Sequence, residues 1–302
     1  MNNRRDAPLL GTDWPTLAVV VAFWASFVTV VALRRHAPTA AVVAGLAVLG
    51  GLYMSLQHEI IHGHPTPWRR LNWLLVCAPL GMTQPFDRYS DTHLAHHEAD
   101  LTDPLEDPES YYVTAQAWQS ASGAHRLLLR ANRTLAGRLT IGPVLSFARM
   151  VRTDVRLVRT RTDVWRAWLL HLVAVGVLIV ALRAAAMPLW IYVLGFVLGG
   201  ASFTALRSFV EHCAADGTSR SAIVRSGWFF GFIFLNNNLH YTHHRLPGAA
   251  WYRLPELTRS INAEAAVVDG AGFYRGYLEV ARRFLFRPFG QPVHPVSATI
   301  DV

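Results

Sequence analysis

The chain has 302 residues, of which 52% are hydrophobic and only 16% charged, and its mean hydropathy is +0.24. Soluble domains carry charged residues at about a quarter of positions, so this composition excludes an ordinary soluble fold and reads as a membrane protein. The net charge of +8 comes from arginine alone, since the chain contains no lysine, and in so apolar a chain that surplus points to cytoplasmic loops and anionic lipid rather than to nucleic acid.

Residues 1–14 are polar, include Arg4 and Arg5 and lack a small-residue cleavage site, so a cytoplasmic tail is expected. Residues 14–33 are almost wholly apolar and long enough, at about 1.5 Å per residue, to cross a hydrocarbon core of about 30 Å. A tight turn, Arg34-Arg35-His36-Ala37-Pro38, precedes a second apolar run over 39–57 that returns to the starting side. His58-Glu59-Ile60-Ile61-His62-Gly63-His64 begins where that run ends, and Pro65 and Pro67 terminate its helix. The next apolar stretch, Leu71 to Met82, is too short to cross and is expected to be interfacial or re-entrant, which keeps His93-Leu94-Ala95-His96-His97 on the same side as the first box. An acidic, proline-containing stretch from Asp100 to Glu109 then reads as a surface loop.

Residues 125–166 interleave arginine with leucine, valine and phenylalanine. Such a stretch can lie on an anionic membrane surface or receive an acidic partner protein, for which Arg149, Arg152, Arg156 and Arg159 offer a face. A second pair of spans is expected at 168–182 and 187–206, with His171 packed inside the first, and His212 lies just beyond the pair. Ile223 to Leu235 reads as a short buried or interfacial helix that leads into Asn236-Asn237-Asn238 and the third box, His240-Tyr241-Thr242-His243-His244. From Arg245 onward no further span is expected, although residues 274–286 could form one amphipathic helix. The four spans place both termini and every box on one side. Thirteen arginines between Arg69 and Arg166, against Arg34, Arg35 and Arg183 in the opposite turns, orient that side to the cytoplasm. The expected fold is thus an all-α integral membrane protein, one domain over residues 1–302, with about four transmembrane helices and a cytosolic, histidine-rich cap formed by 58–166 and 207–302.

Ten of the fourteen histidines fall in the three boxes or at His212. On a helix, positions i, i+3 and i+4 share a face, so His240, His243 and His244 can aim three imidazoles at one point. Neutral imidazole suits zinc, copper, iron and nickel. Eight or nine clustered histidines exceed the needs of one metal and fit two metals that each keep an open position. Zinc does no redox chemistry, whereas two irons could activate dioxygen. Cys77 and Cys213 sit beside apolar segments as expected buried thiols and are too few for iron–sulfur ligation.

The three boxes in this order and spacing resemble those of the membrane fatty acid desaturase and hydroxylase superfamily over roughly residues 15–260. The resemblance implies a cytosol-facing non-haem di-iron centre, dioxygen as oxidant, a lipid or fatty-acyl substrate entering between the helices, and a separate ferredoxin- or cytochrome-like electron carrier. Carried over by position, His58, His62, His93, His96, His97, His240, His243 and His244 match the family ligands, and His212 matches an additional histidine found after the fourth span. His64 could join only if the chain unwinds at Gly63, and Glu211 or one of Asn236 to Asn238, with Asn238 the first choice, is expected to support the ligands rather than bind metal. Some acyl-chain desaturases carry asparagine four residues before the extra histidine, where this chain has Ser208. The reading favoured is desaturation of an acyl lipid or fatty acid. The alternatives are hydroxylation or ketolation of an alkane, carotenoid or other lipid, and, more remotely, metal binding without catalysis.

Overall fold

The computed structural model describes residues 11–215 and 219–295; the expected N-terminal tail with Arg4 and Arg5 lies outside the described residues. Helix α1 (Trp14–Leu33) starts where the Asp13 carboxylate accepts from the Thr16 backbone N–H at 3.2 Å and the Thr16 hydroxyl at 2.6 Å, with proline in the first turn. After the turn comes α2 (Thr39–Ile61), which runs past the expected end at Gln57 and carries His58 inside its last turn. Its backbone ladder continues through polar residues at which hydropathy alone would stop. The second pair behaves alike. Helix α9 spans Thr162–Ala184, and α10 (Leu189–Tyr192), a π-helical segment (Val193–Gly199) and α11 (Gly200–Ser208) join into one span. All four spans are long and apolar enough to cross a membrane. Arg34 Nε donates to the Ala186 carbonyl at 2.8 Å, which ties the two inter-span turns together at the end remote from the histidine boxes.

Helix α2 is the core of the bundle and packs against α1, the π-helical segment and α11. At its crossing with the fourth span the two backbones touch: a Cβ on Gly50 would lie 2.4 Å from the Phe196 carbonyl oxygen and 2.8 Å from the Gly200 Cα. Membrane helices gain their association energy from such close approach, and no side chain can move aside to make room. Gly50→Ala is therefore expected to destabilise the bundle by ~1–3 kcal/mol, read as a lower Tm in detergent. Gly176→Ala, where a new Cβ meets open space, should leave the Tm unchanged or raised.

The cap is built from short helices. Helix α3 (Arg69–Val76) is too short to cross; it exposes Leu71, Trp73 and Leu74, and its Leu75 and Val76 carbonyls accept from Trp24 Nε1 at 3.0 Å and Tyr53 Oη at 2.6 Å. Helix α4 (Phe86–Glu98) carries the second box. Buried Arg88 on its first turn makes two bonds, of 3.0 and 2.8 Å, to buried Asp154, which also accepts from Trp168 Nε1 at 2.8 Å; the box-two helix is thereby fixed to the cap and to the third span. Then follow α5 (Ala115–Ser120), α6 (Gly123–Asn132) and α7 (Leu135–Thr140), each capped by a Thr or Ser hydroxyl, and α8 (Gly142–Leu157). Buried Arg133 and Arg138 stack over the rings of Tyr112 at 4.4 Å and Tyr111 at 3.5 Å, and the Arg133 carbonyl accepts from the Phe289 N–H, latching the C-terminal segment onto the loop after box two.

The region before box three departs from expectation. Ile223–Val224 is a strand, β1, paired in parallel with β2 (Phe273–Tyr274), so that only α12 (Trp228–Ile233) is helical there. A long-range partner outcompeted helix at Ile223, while Ser226-Gly227 supplied the break. The same pairing shortens the expected amphipathic helix over 274–286. After α13 (His240–Arg245), α14 (Leu254–Ser260) and α15 (Ala263–Ala266), helix α16 covers only Tyr277–Phe284.

Candidate metal centre

Helix ends deliver the histidines. His58 and His62 come from the last turn of α2, His93, His96 and His97 from the last two turns of α4, and His240, His243 and His244 from α13. His212 follows the end of the fourth span. These nine side chains divide into two clusters, within each of which the candidate ligand atoms lie within 4.8 Å of one another: His58, His62, His93, His97 and His243 in one, and His96, His212, His240 and His244 in the other. The stacked rings of His97 and His244, 4.3 Å apart, join the two. Box three therefore does not aim at one point. Its i+3 member goes to the five-histidine cluster and the other two go to the four-histidine cluster. Box two divides likewise, with His93 and His97 on one side and His96 on the other.

The contacts at Nδ1 set the protonation pattern. His96 Nδ1 lies 2.7 Å from Asp107 Oδ1, His240 Nδ1 3.0 Å from Asn237 Oδ1, His212 Nδ1 3.3 Å from the Arg220 carbonyl and His93 Nδ1 3.1 Å from Glu109 Oε1. Each partner is an acceptor, so in the neutral ring Nδ1 carries the hydrogen and Nε2 a bare lone pair. Those lone pairs face one another, at 3.1 Å between His96 and His212 and 2.9 Å between His240 and His212. In the other cluster the Nε2 separations are 3.2 Å for His62–His93 and 3.1 Å for His93–His97 and His97–His243. Opposed lone pairs without a proton between them repel unless a cation sits among them. Separations near 3 Å are also those of neighbouring ligands at right angles round an ion about 2.1 Å from each nitrogen. The donor set therefore fits two metal ions.

Electrostatics agree with that assignment for most of these rings; burial works against a charge on His96, but the Glu109 and Asp107 carboxylates hold it above the usual histidine range. Burial, reinforced by neighbouring imidazoles, holds His97, His240, His243 and His244 far below the usual histidine range. His212 is pushed down to about 3 by burial and His96, and His93 to about 4 by burial against the pull of Glu109. These rings are neutral near pH 7, as metal ligation requires. Burial works against ionisation of Glu109, but His93 and His96 hold it below the usual carboxylate range. Burial raises Glu211 to about 7 in spite of Arg207.

The supporting residues differ partly from expectation. Asp107 and Glu109 lie in the stretch read as a surface loop, yet Asp107 is buried, bonds His96 and accepts the backbone N–H groups of Thr102 and Glu109 at 2.9 and 2.8 Å. The loop folds back under box two because these donors converge on one carboxylate. Acidic residues are scarce in this chain, and a cluster of them shortly after an HxxHH box was the available signal. Asn237, not Asn238, is the asparagine at the site, with Nδ2 3.2 Å from His58 Nε2; Asn238 instead donates to the Val224 carbonyl at 2.7 Å. Glu211 approaches His240 Nδ1 at 3.5 Å. His64 joins neither cluster: the chain does unwind at Gly63 (φ +98°), but it turns His64 to Asp13 at 2.8 Å and to the Gly248 carbonyl at 3.3 Å, tying the first span to the loop after box three. Ser208 bonds the Tyr111 hydroxyl at 3.0 Å.

Four apolar spans beneath a cap with two imidazole clusters define a membrane protein whose donor set could hold metal ions. A family model described as fatty acid desaturase matches residues 34–274, which contain all three boxes and His212, and the chain belongs to that family. No curated relative matches it. Family membership supports a membrane oxidoreductase of lipids.

Proposed function

We propose that the chain is a dioxygen-dependent di-iron desaturase of an acyl lipid or fatty acid. The observation that carries this reading is the division of nine buried or half-buried imidazoles into adjoining sets of five and four, with the Nε2 atoms of His93, His96, His212 and His240 bare and turned toward neighbouring rings. His58, His62, His93, His97 and His243 would hold one iron, and His96, His212, His240 and His244 the other. Bound there, the two irons supply the binding and reduction of dioxygen and so the oxidising power to remove hydrogen from an unactivated C–H bond. In desaturation the substrate gives up two hydrogen atoms, that is two protons and two electrons, and two further electrons and two protons complete the reduction of dioxygen to two waters.

The protein's own part is to orient and to exclude water. Asp107 and Glu109 fix the tautomers and ring planes of His96 and His93. His58, His96 and His243 are only 1–2% exposed, which closes the site toward water. Between α2 and α11, about one helical turn from His58, the residues Gly51, Met54, Ser55, Tyr89, Thr204, Arg207 and Phe234 line a small void with room for about one water. Two cysteines on separate segments cannot hold an iron–sulfur cluster, and a ferredoxin- or cytochrome-like carrier is the electron donor in this reading. The arginine imbalance between the two sides supports a cytoplasmic orientation of the histidine clusters.

Iron analysis and mass spectrometry of host lipids test the reading together. Two irons per chain and a lipid lighter by two hydrogens are expected. A product heavier by one oxygen would make the enzyme a hydroxylase, and bound zinc or copper without dioxygen consumption would overturn both oxidative readings.

A further inference from the structure

Along helix α8 and the turn that follows it, each residue advances by about 100°. Gly142 and Asp154 turn inward and are buried. Val144, Phe147, Val155 and Val158 form a stripe that is 59, 39, 60 and 37% exposed. Arg152, Arg156 and Arg159 form an exposed row that adjoins this stripe rather than opposing it. Arg149 is not part of the free row, because its guanidinium donates to the Ser110 carbonyl. Arg161 is paired with Asp163, whereas Arg152, Arg156 and Arg159 make no ion pair among the described residues.

Neighbouring contacts set the depth of this helix. Just before it, the Leu139 carbonyl of α7 accepts from Ser202 Oγ at 2.9 Å, and Ser202 lies about 9 Å inside the end of the fourth span. Just after it, the third span begins with half-exposed Trp165 and continues with Leu169, Leu170, Leu172 and Val173, 51–67% exposed. The apolar stripe of α8 thus lies at the depth where the exposed apolar surface of the third span begins, the two helices being tied by the Trp168–Asp154 bond. Trp14, Trp68 and Trp228, 70, 63 and 85% exposed, lie on the box side as well, as the aromatic belt of that interface.

We propose that α8 lies in the membrane surface, with its valine and phenylalanine stripe among acyl chains and Arg152, Arg156 and Arg159 on the phosphates of anionic phospholipid. An apolar stripe flanked by arginines suits this position, since the stems lie along the acyl region while the guanidinium groups reach the headgroups. An acidic carrier protein could pair with the arginines, but it would leave the adjoining stripe and the exposed apolar surface of the third span without a partner.

The test uses the full chain in lipid nanodiscs. On a Cys77→Ser/Cys213→Ser background, nitroxide labels at Phe147→Cys and Val155→Cys should be more accessible to oxygen than to a water-soluble nickel complex, and a label at Thr153→Cys, on the far side of the helix, should show the reverse. In discs of mixed phosphatidylglycerol and phosphatidylcholine, native mass spectrometry should find phosphatidylglycerol retained preferentially, with the preference falling about fivefold for each of Arg152, Arg156 and Arg159 replaced by Gln. Nickel-accessible labels at 147 and 155, or undiminished phosphatidylglycerol retention in the triple Gln variant, would overturn the proposal. The first of these outcomes would leave the arginine row to a soluble partner.

Discussion

His243→Ala and His244→Ala, neighbours in sequence, are expected to remove different irons. His243 belongs to the five-histidine cluster and His244 to the four-histidine cluster, so each single variant should retain about one iron per chain and the double variant close to none. Loss of either iron disables a two-metal reaction, and turnover in both single variants should fall by roughly 10³-fold or more, the scale on which an activated group is lost. Metal content by mass spectrometry, beside product formation on membranes of matched protein content, checks both statements. Two irons with turnover retained in His243→Ala would show that the boxes are not the ligands. Selective loss of iron from only one cluster in both variants would show that the division between the clusters is wrong.

Asp107→Ala should cost 10–100-fold in iron affinity without touching a proposed ligand. Its carboxylate accepts from His96 Nδ1 and from two backbone N–H groups, so truncation frees the ring to change tautomer and lets the 100–110 loop move away from box two. Asp107→Asn keeps an acceptor of similar shape but loses the charge, and should fall between wild type and Asp107→Ala. An iron titration of apoprotein reads the effect directly. Equal affinity in all three proteins would mean that His96 is held by its helix alone.

The sequence carried the spans and the histidine boxes because both are local. Twenty apolar residues must form a helix in a bilayer, whatever their neighbours, and i, i+3, i+4 spacing places imidazoles on one side of a helix before any packing occurs. The boundaries were less legible: hydropathy stops at Gln57 and at Trp168, whereas the backbone ladder continues through His58 and back to Thr162. The strand at Ile223–Val224 was hidden for another reason, since its partner lies some fifty residues away and no local pattern announces it. Asp107 was misread as solvated because an acidic, proline-containing loop is usually just that; only the folded chain shows the donors that surround it.

For this protein, then, the amino-acid sequence alone determined an all-α membrane architecture and a set of nine histidines brought to one end of it. It could not say which imidazole goes with which. A helix turns successive residues by about 100°, so members of one box three or four positions apart diverge by tens of degrees, and whether they meet one ion or two depends on where the facing helices stand. Tertiary structure decided that: α4 and α13 lie so that each divides its histidines between two clusters, and the close crossing of α2 with the fourth span at Gly50 places His58 and His62 against only one of them.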